Sequence, residues 1–174
     1  MKMDNEKKLP TRKHPRLNNY DYSSVGAYYV TICTQNRRCL LSHIVGRGLA
    51  PAETNGIAYT TFGKIAETQL LLLEHRFPHL VIDQYIIMPN HIHAVLVLND
   101  HAAGASPRPT IMDIVCVYKS ITTIECKKNG LDGKLFQASF YDHVIRDQKD
   151  YEAITKYIYE NPIRWLYDEL HSKE

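Results

Sequence analysis

The first part of the chain alternates apolar and polar residues in patterns that predict a strand, a hairpin and a helix. Residues 27–34 (AYYVTICT) are aromatic and β-branched with a two-residue rhythm, which is typical of a strand. Residues 43–59 contain several glycine, proline and asparagine residues and are interpreted as a long excursion or a hairpin. From about Thr61 to His75, apolar residues at helical spacing predict a helix that ends before Pro78.

The most hydrophobic part of the chain follows directly. The runs LVIDQYIIM (80–88) and HIHAVLVL (91–98) are separated only by Pro89 and Asn90, so they predict a β-hairpin. Because both runs are nearly continuous in hydrophobicity, we expect two central strands that are covered by helices.

A second long helix is predicted after this hairpin. Thr110 can serve as its N-cap, and apolar residues recur at helical spacing to about Lys128. The residues predicted to form its buried stripe are Ile111, Ile114, Val115, Tyr118, Ile121 and Ile124.

The C-terminal part completes a recognisable order of elements. FQASFYDHVI (136–145) predicts a last strand, and Asp147 can cap a helix over residues 148–160 that Asn161 and Pro162 close. The order is β-α-β-β-α-β with one additional C-terminal helix. It predicts an α+β, ferredoxin-like fold: an antiparallel sheet with its first two helices packed on one face.

Length and composition limit the domain organisation and the class of protein. A chain of 174 residues with 44% hydrophobic residues is sufficient for one packed core. There is no run of about 18 uncharged apolar residues, and no apolar segment follows the charged N-terminus, so neither a membrane span nor a secretory signal is predicted. The four cysteines include no CxxC pair, which favours reduced thiols in a cytoplasmic protein.

The charge distribution is more informative than the net charge of +2. Basic residues are concentrated near the N-terminus, at Lys7, Lys8, Arg12, Lys13 and Arg16. We therefore divide the chain into a basic N-terminal segment, 1–20, and a single domain, 21–174. Such a segment can contact nucleic acid, although its composition alone favours a solvated, disordered terminus.

Two histidines in the predicted hairpin are candidate metal ligands. His91 and His93 are two residues apart on a strand, so both imidazoles leave the same face of the sheet. Two neutral imidazoles side by side can share a metal ion. An isolated His-x-His pattern is equally typical of two hydrogen-bonded histidines without a metal.

A second candidate pair lies on the last predicted helix. Tyr157 and Asn161 are four residues apart and therefore share one face of the helix, one turn from each other. The amide oxygen of Asn161 is a hard ligand that Mg²⁺ or Mn²⁺ accepts. Asn161 also precedes a proline and can simply end the helix, and Tyr157 is one of 12 tyrosines, most of which serve packing.

Three stretches of the sequence together resemble the REP-associated tyrosine transposases of bacteria, which are related to the single-tyrosine transposases of small insertion sequences. The stretches are YIIMPNHIHAVLVL, TIMDIVCVYKS and FQASFYDHVIRDQKDYEAITKYIYENPIRW. The opening TRKHPRLNNYDYSSVGAYYVTICTQNR is also similar to the start of that family. A His-hydrophobic-His strand followed by a Tyr-x-x-x-Asn helix is a specific combination.

The resemblance implies a metal-dependent nuclease that cleaves and rejoins single-stranded DNA, at hairpins of palindromic repeats, through a 5′-phosphotyrosine intermediate. By position, His91 and His93 match the metal-binding pair and Tyr157 matches the nucleophile. Asn161 matches the third ligand of Mg²⁺ or Mn²⁺, where the insertion-sequence branch usually has glutamine. Relatives of this kind include dimers, which makes a homodimer one expectation.

Contacts with DNA are expected at basic residues within the same resemblance. The candidates for phosphate contacts are Lys13, Arg16, Lys119, Arg146 and Arg164. Tyr20, Tyr22 and Tyr141 could stack on unpaired bases. For each of these residues an exposed charge or a packed ring is an equally good interpretation.

Three alternatives remain open at this point. Tyr141 is a second candidate nucleophile because it lies near His143, but no amide ligand stands one helical turn from it. The same order of elements also serves non-catalytic single-strand binders, such as a domesticated transposase. A metal phosphodiesterase that uses activated water would keep the histidines and would not need Tyr157.

Overall fold

The computed structural model of the protein describes residues 20–45, 56–100 and 108–165. Within these ranges the chain forms, in order, the strands and helices β1 (Gly26–Cys33), β2 (Ser42–Ile44), β3 (Ile57–Tyr59), α1 (Thr61–Leu71), α2 (Leu73–Arg76), β4 (Leu80–Ile87), β5 (His91–Leu98), α3 (Ile111–Lys128), β6 (Tyr141–Ile145) and α4 (Gln148–Glu160). No helix in the described ranges is long and apolar enough to span a lipid bilayer.

Four strands form one antiparallel sheet in the order β4-β5-β1-β6. Together with α1 and α3 this is the βαββαβ order of a ferredoxin-like fold, so the fold predicted from the sequence is confirmed. Strands β2 and β3 pair with each other as a separate antiparallel hairpin, which confirms the hairpin interpretation of residues 43–59. The basic segment predicted at residues 1–20 lies, except for Tyr20, outside the described residues.

The two faces of the sheet have different partners. Even-numbered residues of β1 and β5, such as Ile32 and Ile92, pack with α1 and α3 in the main hydrophobic core. Odd-numbered residues of the same strands, such as Tyr29 and Val95, pack with Ile158 of α4 in a smaller cluster. Because side chains alternate along a strand, His91 and His93 lie on the α4 face.

A β-bulge in β4 changes which residues face α4. The register with β5 shifts between Ile82 and Gln84, so Asp83 is an extra residue in the ladder. Ile82 packs on the main core, whereas Ile86, four residues later, packs in the α4 cluster. The bulge therefore reverses the alternation of β4 and brings an apolar residue beside the histidine strand.

Two predictions about the strands were wrong in detail. β4 was expected to be central, but it is an edge strand, with Val81 41% exposed. The strand predicted over 136–145 is shorter, Tyr141–Ile145, and Phe136 forms only an isolated bridge with Thr34. Hydrophobic composition does not distinguish a central strand from an edge strand when half of the side chains cover the core.

Two predictions about the helices also needed correction. The helix predicted from Thr61 to His75 is interrupted at Leu72, so α1 and α2 are separate. In α3 the stripe continues from Tyr118 through Thr122 and Cys126, while Ile124 is 50% exposed. A residue six positions from Tyr118 lies about 120° away around the helix, which directs Ile124 to solvent.

The predicted helix starts are confirmed by their capping contacts. The Thr110 side chain accepts a hydrogen bond from the Asp113 amide, and Asp113 bonds back to the Thr110 amide, which forms a capping box at α3. At α4 the Asp147 carboxylate accepts from the Asp150 amide at 2.8 Å. Each cap satisfies amides that the first helical turn leaves without partners.

Gly63 allows the first turn of α1 to pack on the chain before it. The Thr60 hydroxyl accepts from the Gly63 amide and donates to the Leu40 carbonyl, while the Thr60 amide donates to the Leu41 carbonyl. A Cβ at Gly63 would lie 1.9 Å from the Leu41 carbonyl oxygen, a backbone atom that cannot move aside cheaply.

Gly63→Ala is therefore expected to destabilise the protein by about 3 kcal/mol, measured by urea unfolding. Helix propensity alone would change the stability in the opposite direction, by about 1 kcal/mol. Thr68→Ala, at an exposed position of the same helix, is the matched control and should have little effect. A Gly63→Ala protein as stable as the control would contradict the close approach.

Candidate active site

The two histidines of β5 lie side by side beneath α4. His91 and His93 are 0% and 1% exposed, and their ring centroids are 4.4 Å apart at an interplanar angle of 65°. Their alternation with Ile92, which is in the main core, directs both rings to the same face of the sheet. The shared face expected from the sequence is therefore present.

Hydrogen bonds hold each histidine ring at its Nδ1 atom. The Nδ1 atom of His91 lies 2.8 Å from the Asn90 Oδ1 atom. The Nδ1 atom of His93 lies 2.7 Å from the Tyr29 hydroxyl and 3.0 Å from the Thr31 hydroxyl. Tyr29 also stacks on the His93 ring, with centroids 5.4 Å apart. On both rings Nδ1 is thus engaged in these contacts, and Nε2 is the second, buried ring nitrogen.

The environment of His93 favours a neutral imidazole. Burial lowers the pKa of His93 well below its usual value, and the neighbouring His91 lowers it further. Its Nε2 atom is buried and has no hydrogen-bond partner among the described residues. A neutral imidazole is the form of histidine that binds metal ions, and a buried nitrogen without a hydrogen-bond partner is uncommon in proteins.

Helix α4 is attached to the sheet at two polar contacts and through its apolar face. The His143 Nε2 atom of β6 donates to the Asp150 carboxylate at 2.8 Å. On the opposite edge of the sheet, the Tyr151 hydroxyl donates to the Asp83 carboxylate of the β4 bulge at 2.7 Å. Ile158 is buried in the cluster between these strands and the helix. The C-terminal turns of α4 are thereby placed over β5.

Tyr157 is the tyrosine of α4 that contacts the histidine pair. Its ring centroid is 5.3 Å from that of His93, at an angle of 66°, and the side chain is 43% exposed. Tyr159 is 63% exposed and lies on the other side of the helix. The Tyr141 ring contacts Tyr29, at 6.4 Å, on the β6 edge. Tyr157 therefore combines proximity to the histidines with access from solvent.

Asn161 and Trp165 complete the covering of the site. Asn161 is the C-cap of α4, one turn after Tyr157, and is 1% exposed. The Trp165 ring lies 5.9 Å from the His91 ring and is largely buried. Through Tyr157 and Trp165, the end of α4 and the residues after it thus lie on the histidine pair.

The buried imidazoles of His91 and His93 are donors of a kind that divalent metals accept. No group of three histidine, cysteine, aspartate or glutamate side chains in the described ranges could hold a metal ion. Among the described residues a third protein donor would therefore be of another type, and the buried amide of Asn161, at the C-cap of the helix that carries Tyr157, is a candidate. Two imidazoles and one neutral oxygen would leave positions open for water or phosphate oxygens.

The candidate DNA contacts fall in different places. Arg164 pairs with Glu160 at 2.8 Å, and Arg146 is exposed in the turn before α4, so the two arginines lie near the two ends of the helix that carries Tyr157. Lys119 is on α3, which covers the opposite face of the sheet, and its ammonium group donates to the Ala138 carbonyl at 2.8 Å. Lys13 and Arg16 lie outside the described residues.

The aromatic residues proposed to stack on bases also differ from one another. Tyr22 is buried in the main core, and Tyr20 packs against it with ring centroids 5.0 Å apart. Tyr141 is 51% exposed and belongs to the α4 face, opposite Thr31 in the ladder. Of these three residues, Tyr141 alone has an exposed ring beside the site.

Four residues of the site were missed by the sequence reasoning: Tyr29, Thr31, Asn90 and Trp165. For Tyr29 and Thr31 a signal existed, because their spacing places them on the same face of β1. Asn90 was interpreted only as a turn residue, although it directly precedes His91. Nothing in the pattern around Trp165 indicates that its ring returns to the sheet.

Comparisons with known proteins agree with this architecture. No family model matches the chain. An uncharacterized protein of Haemophilus influenzae is 31% identical over 175 residues, which cover 92% of this chain and 93% of that protein. The solved structure of a REP-associated tyrosine transposase bound to a REP hairpin is 22% identical, with a TM-score of 0.58, over 83% of this chain and 70% of that one. The fold is that of this transposase.

Proposed function

Because the chain belongs to the same family as the Haemophilus influenzae protein and has the fold of a REP-associated tyrosine transposase, we propose that it is a transposase that cleaves and rejoins single-stranded DNA. Tyr157 is the proposed nucleophile, and His91, His93 and Asn161 are the proposed ligands of Mg²⁺ or Mn²⁺. The contact of the half-exposed Tyr157 ring with the buried His93 ring carries the proposal.

The histidines and Asn161 would hold the ion at the bottom of the site, beside Tyr157. When bound, the ion supplies a positive charge that polarises the scissile phosphate. The buried rings exclude water from this side, while the exposed edge of Tyr157 leaves room for a DNA strand. Positioning a phosphate against a prepared nucleophile supplies much of the rate of a phosphoryl transfer.

The covalent step conserves the phosphodiester bond. The Tyr157 hydroxyl loses its proton, its oxygen attacks the phosphorus in line, and the bond from phosphorus to the 3′ oxygen breaks. The 3′ oxygen leaves and takes up a proton, and the 5′ phosphate remains on Tyr157. Rejoining is the reverse reaction, in which a 3′ hydroxyl attacks the phosphotyrosine and restores the free tyrosine. No nucleotide cofactor is needed.

The substrate class is inferred from the solved relative, which is bound to a REP hairpin. We propose that this chain likewise accepts unpaired DNA next to a hairpin. Arg146 and Arg164 are exposed near the two ends of α4 and are suited to phosphate contacts, and Tyr141 presents an exposed ring on which a base could stack.

A hairpin with an unpaired flank is therefore expected to bind much more tightly than a perfect duplex of the same sequence. Affinity for the unpaired strand should fall with salt, with a slope of about −0.7 per phosphate contacted on a logarithmic plot. Fluorescence anisotropy at several salt concentrations measures both effects. Equal affinity for the duplex and the hairpin at moderate salt would argue against a single-stranded substrate.

The decisive experiment is to locate a covalent protein–DNA adduct. The wild-type chain is incubated with Mn²⁺ and a hairpin whose flank is single-stranded, digested, and analysed by mass spectrometry. The expected result is a 5′-phosphonucleotide attached to the peptide that contains Tyr157. An adduct on Tyr141 or Tyr159 would show that the nucleophile is assigned incorrectly.

Two other outcomes separate the competing functions. DNA binding without cleavage or adduct would indicate a non-catalytic binding protein. Cleavage without an adduct, which continues in Tyr157→Phe, would indicate a phosphodiesterase that uses activated water. The chelator-treated wild-type protein is the control for both, because it retains the fold and every side chain.

A further inference from the structure

A chain of hydrogen bonds reaches His91 from the turn after β1. In this turn the short 3-10 helix Gln35–Arg37 contains two consecutive residues with positive φ, Asn36 at 56° and Arg37 at 55°. The Arg37 carbonyl accepts a hydrogen bond from the Asn90 amide nitrogen Nδ2 at 3.2 Å. The other atom of the same amide, Oδ1, lies 2.8 Å from His91 Nδ1.

These two contacts determine where the proton of His91 lies. A carbonyl oxygen only accepts hydrogen bonds, so the Asn90 atom that faces Arg37 must be the NH₂ group. The atom that faces His91 is then the amide oxygen, which also only accepts. His91 Nδ1 must therefore carry a proton and donate it, so that in the neutral ring the lone pair is on Nε2.

Asn90 is held firmly enough to act in this way. Its side chain is 0% exposed, and its backbone carbonyl accepts hydrogen bonds from the Thr34 amide at 2.9 Å and from the Thr34 hydroxyl at 3.0 Å. The backbone of Asn90 is thus held by Thr34, and its side-chain amide is held by the bond from Nδ2 to the Arg37 carbonyl. A fixed acceptor at Nδ1 orients a histidine ring and raises its basicity as a ligand.

The situation at His93 is different. Its Nδ1 atom faces two hydroxyls, Tyr29 and Thr31, and a hydroxyl can either donate or accept. The contacts therefore hold the position of the His93 ring but allow its proton on either nitrogen. Of the two histidines, His91 is the one whose tautomer is set by the protein.

We propose that Asn90, fixed by the Arg37 carbonyl, is a positioning residue that holds His91 in its metal-binding tautomer before any metal arrives. The proposal deepens the proposed function, since it concerns the same metal site. It gives His91 the role of the first, preorganised ligand, and it gives His93 the role of a ligand that adjusts its hydroxyl partners when the ion binds.

The tautomer can be observed directly in the full chain without metal or DNA. Long-range ¹H–¹⁵N correlation spectra of protein labelled with ¹⁵N-histidine distinguish a protonated from an unprotonated ring nitrogen. At neutral pH and in the presence of a chelator, His91 is expected as a single species with its proton on Nδ1. A His91 signal with the proton on Nε2 would overturn the proposal.

Two variants of Asn90 provide the matched comparison. Asn90→Asp keeps an oxygen acceptor toward His91 and should preserve the Nδ1–H tautomer. Asn90→Leu has a similar shape and no acceptor, so His91 should become a mixture of tautomers while the His93 signal is unchanged. Electron paramagnetic resonance of Mn²⁺ should show binding to Asn90→Leu weakened by about 10-fold or more.

The outcomes separate this proposal from the proposed function. If Asn90→Leu keeps both the wild-type tautomer and the wild-type affinity for Mn²⁺, Asn90 has no positioning role. If the wild-type protein shows the expected tautomer but does not bind Mn²⁺, the metal assignment fails while the hydrogen-bond chain stands. Should Asn90→Leu fail to fold, the wild-type spectrum and Asn90→Asp still decide the question.

Discussion

Tyr157→Phe is expected to abolish DNA nicking and covalent adduct formation while the fold and DNA binding are retained. The substitution removes only the hydroxyl oxygen, and the ring that packs on His93 remains in place. Without that oxygen no phosphotyrosine can form, so the nicking rate should fall by a factor on the order of 10⁴ or more. The rate is measured on a labelled hairpin with a single-stranded flank, in the presence of Mn²⁺.

Two neighbouring tyrosines are the controls for this result. Tyr159→Phe, on the same helix but with its ring turned to solvent, should nick at a rate close to that of the wild type. Tyr141→Phe keeps the ring that could stack on a base and should also remain active. Normal nicking by Tyr157→Phe, or loss of nicking in Tyr141→Phe, would identify a different nucleophile.

The second large effect is expected at the histidines. His91→Ala and His93→Ala should each lose nicking by about 1000-fold, because a two-histidine site with one ring removed cannot retain the ion at millimolar Mg²⁺. This loss corresponds to about 4 kcal/mol of transition-state stabilisation. Nicking assays at increasing Mn²⁺ concentration, with binding followed by electron paramagnetic resonance, measure the two effects separately.

Asn161→Ala should be affected less than the histidine variants, because a water molecule can replace one neutral oxygen ligand. Its nicking should recover at high Mn²⁺, which would not occur in His93→Ala. Full activity of the wild-type protein in excess chelator would contradict a role for the metal and leave the histidines as structural residues.

Much of the fold followed from patterns that are local in the sequence. The Thr110 cap, the Pro89-Asn90 turn and the Asp147 cap each act within a few residues, and each occurs where it was predicted. The β-α-β-β-α-β order then leaves few ways to build a sheet. The shared face of His91 and His93 also followed from the pattern, because it depends only on the pleat of one strand.

The remaining features of the fold and of the candidate site depend on contacts between elements that are distant in the sequence. The spacing of Tyr157 and Asn161 shows that they share a face of α4, but not that this face lies on β5. That placement depends on the contact between Tyr151 and Asp83. Asp83 lies in a β-bulge of β4, and no pattern in the sequence predicts this bulge. The prediction that Tyr157 is a nucleophile came from a family resemblance and not from periodicity.

The main core and the site use alternate residues of the same strands, so we expect neighbouring positions to be under different selection. Ile92 is kept by any selection for a folded protein, because it fills the main core. His91 and His93 add nothing to that core, and a buried ring nitrogen without a partner, as at His93 Nε2, costs about 1–3 kcal/mol. Selection for folding alone would replace such histidines by valine or leucine. A lineage that keeps both is therefore under selection for something other than stability.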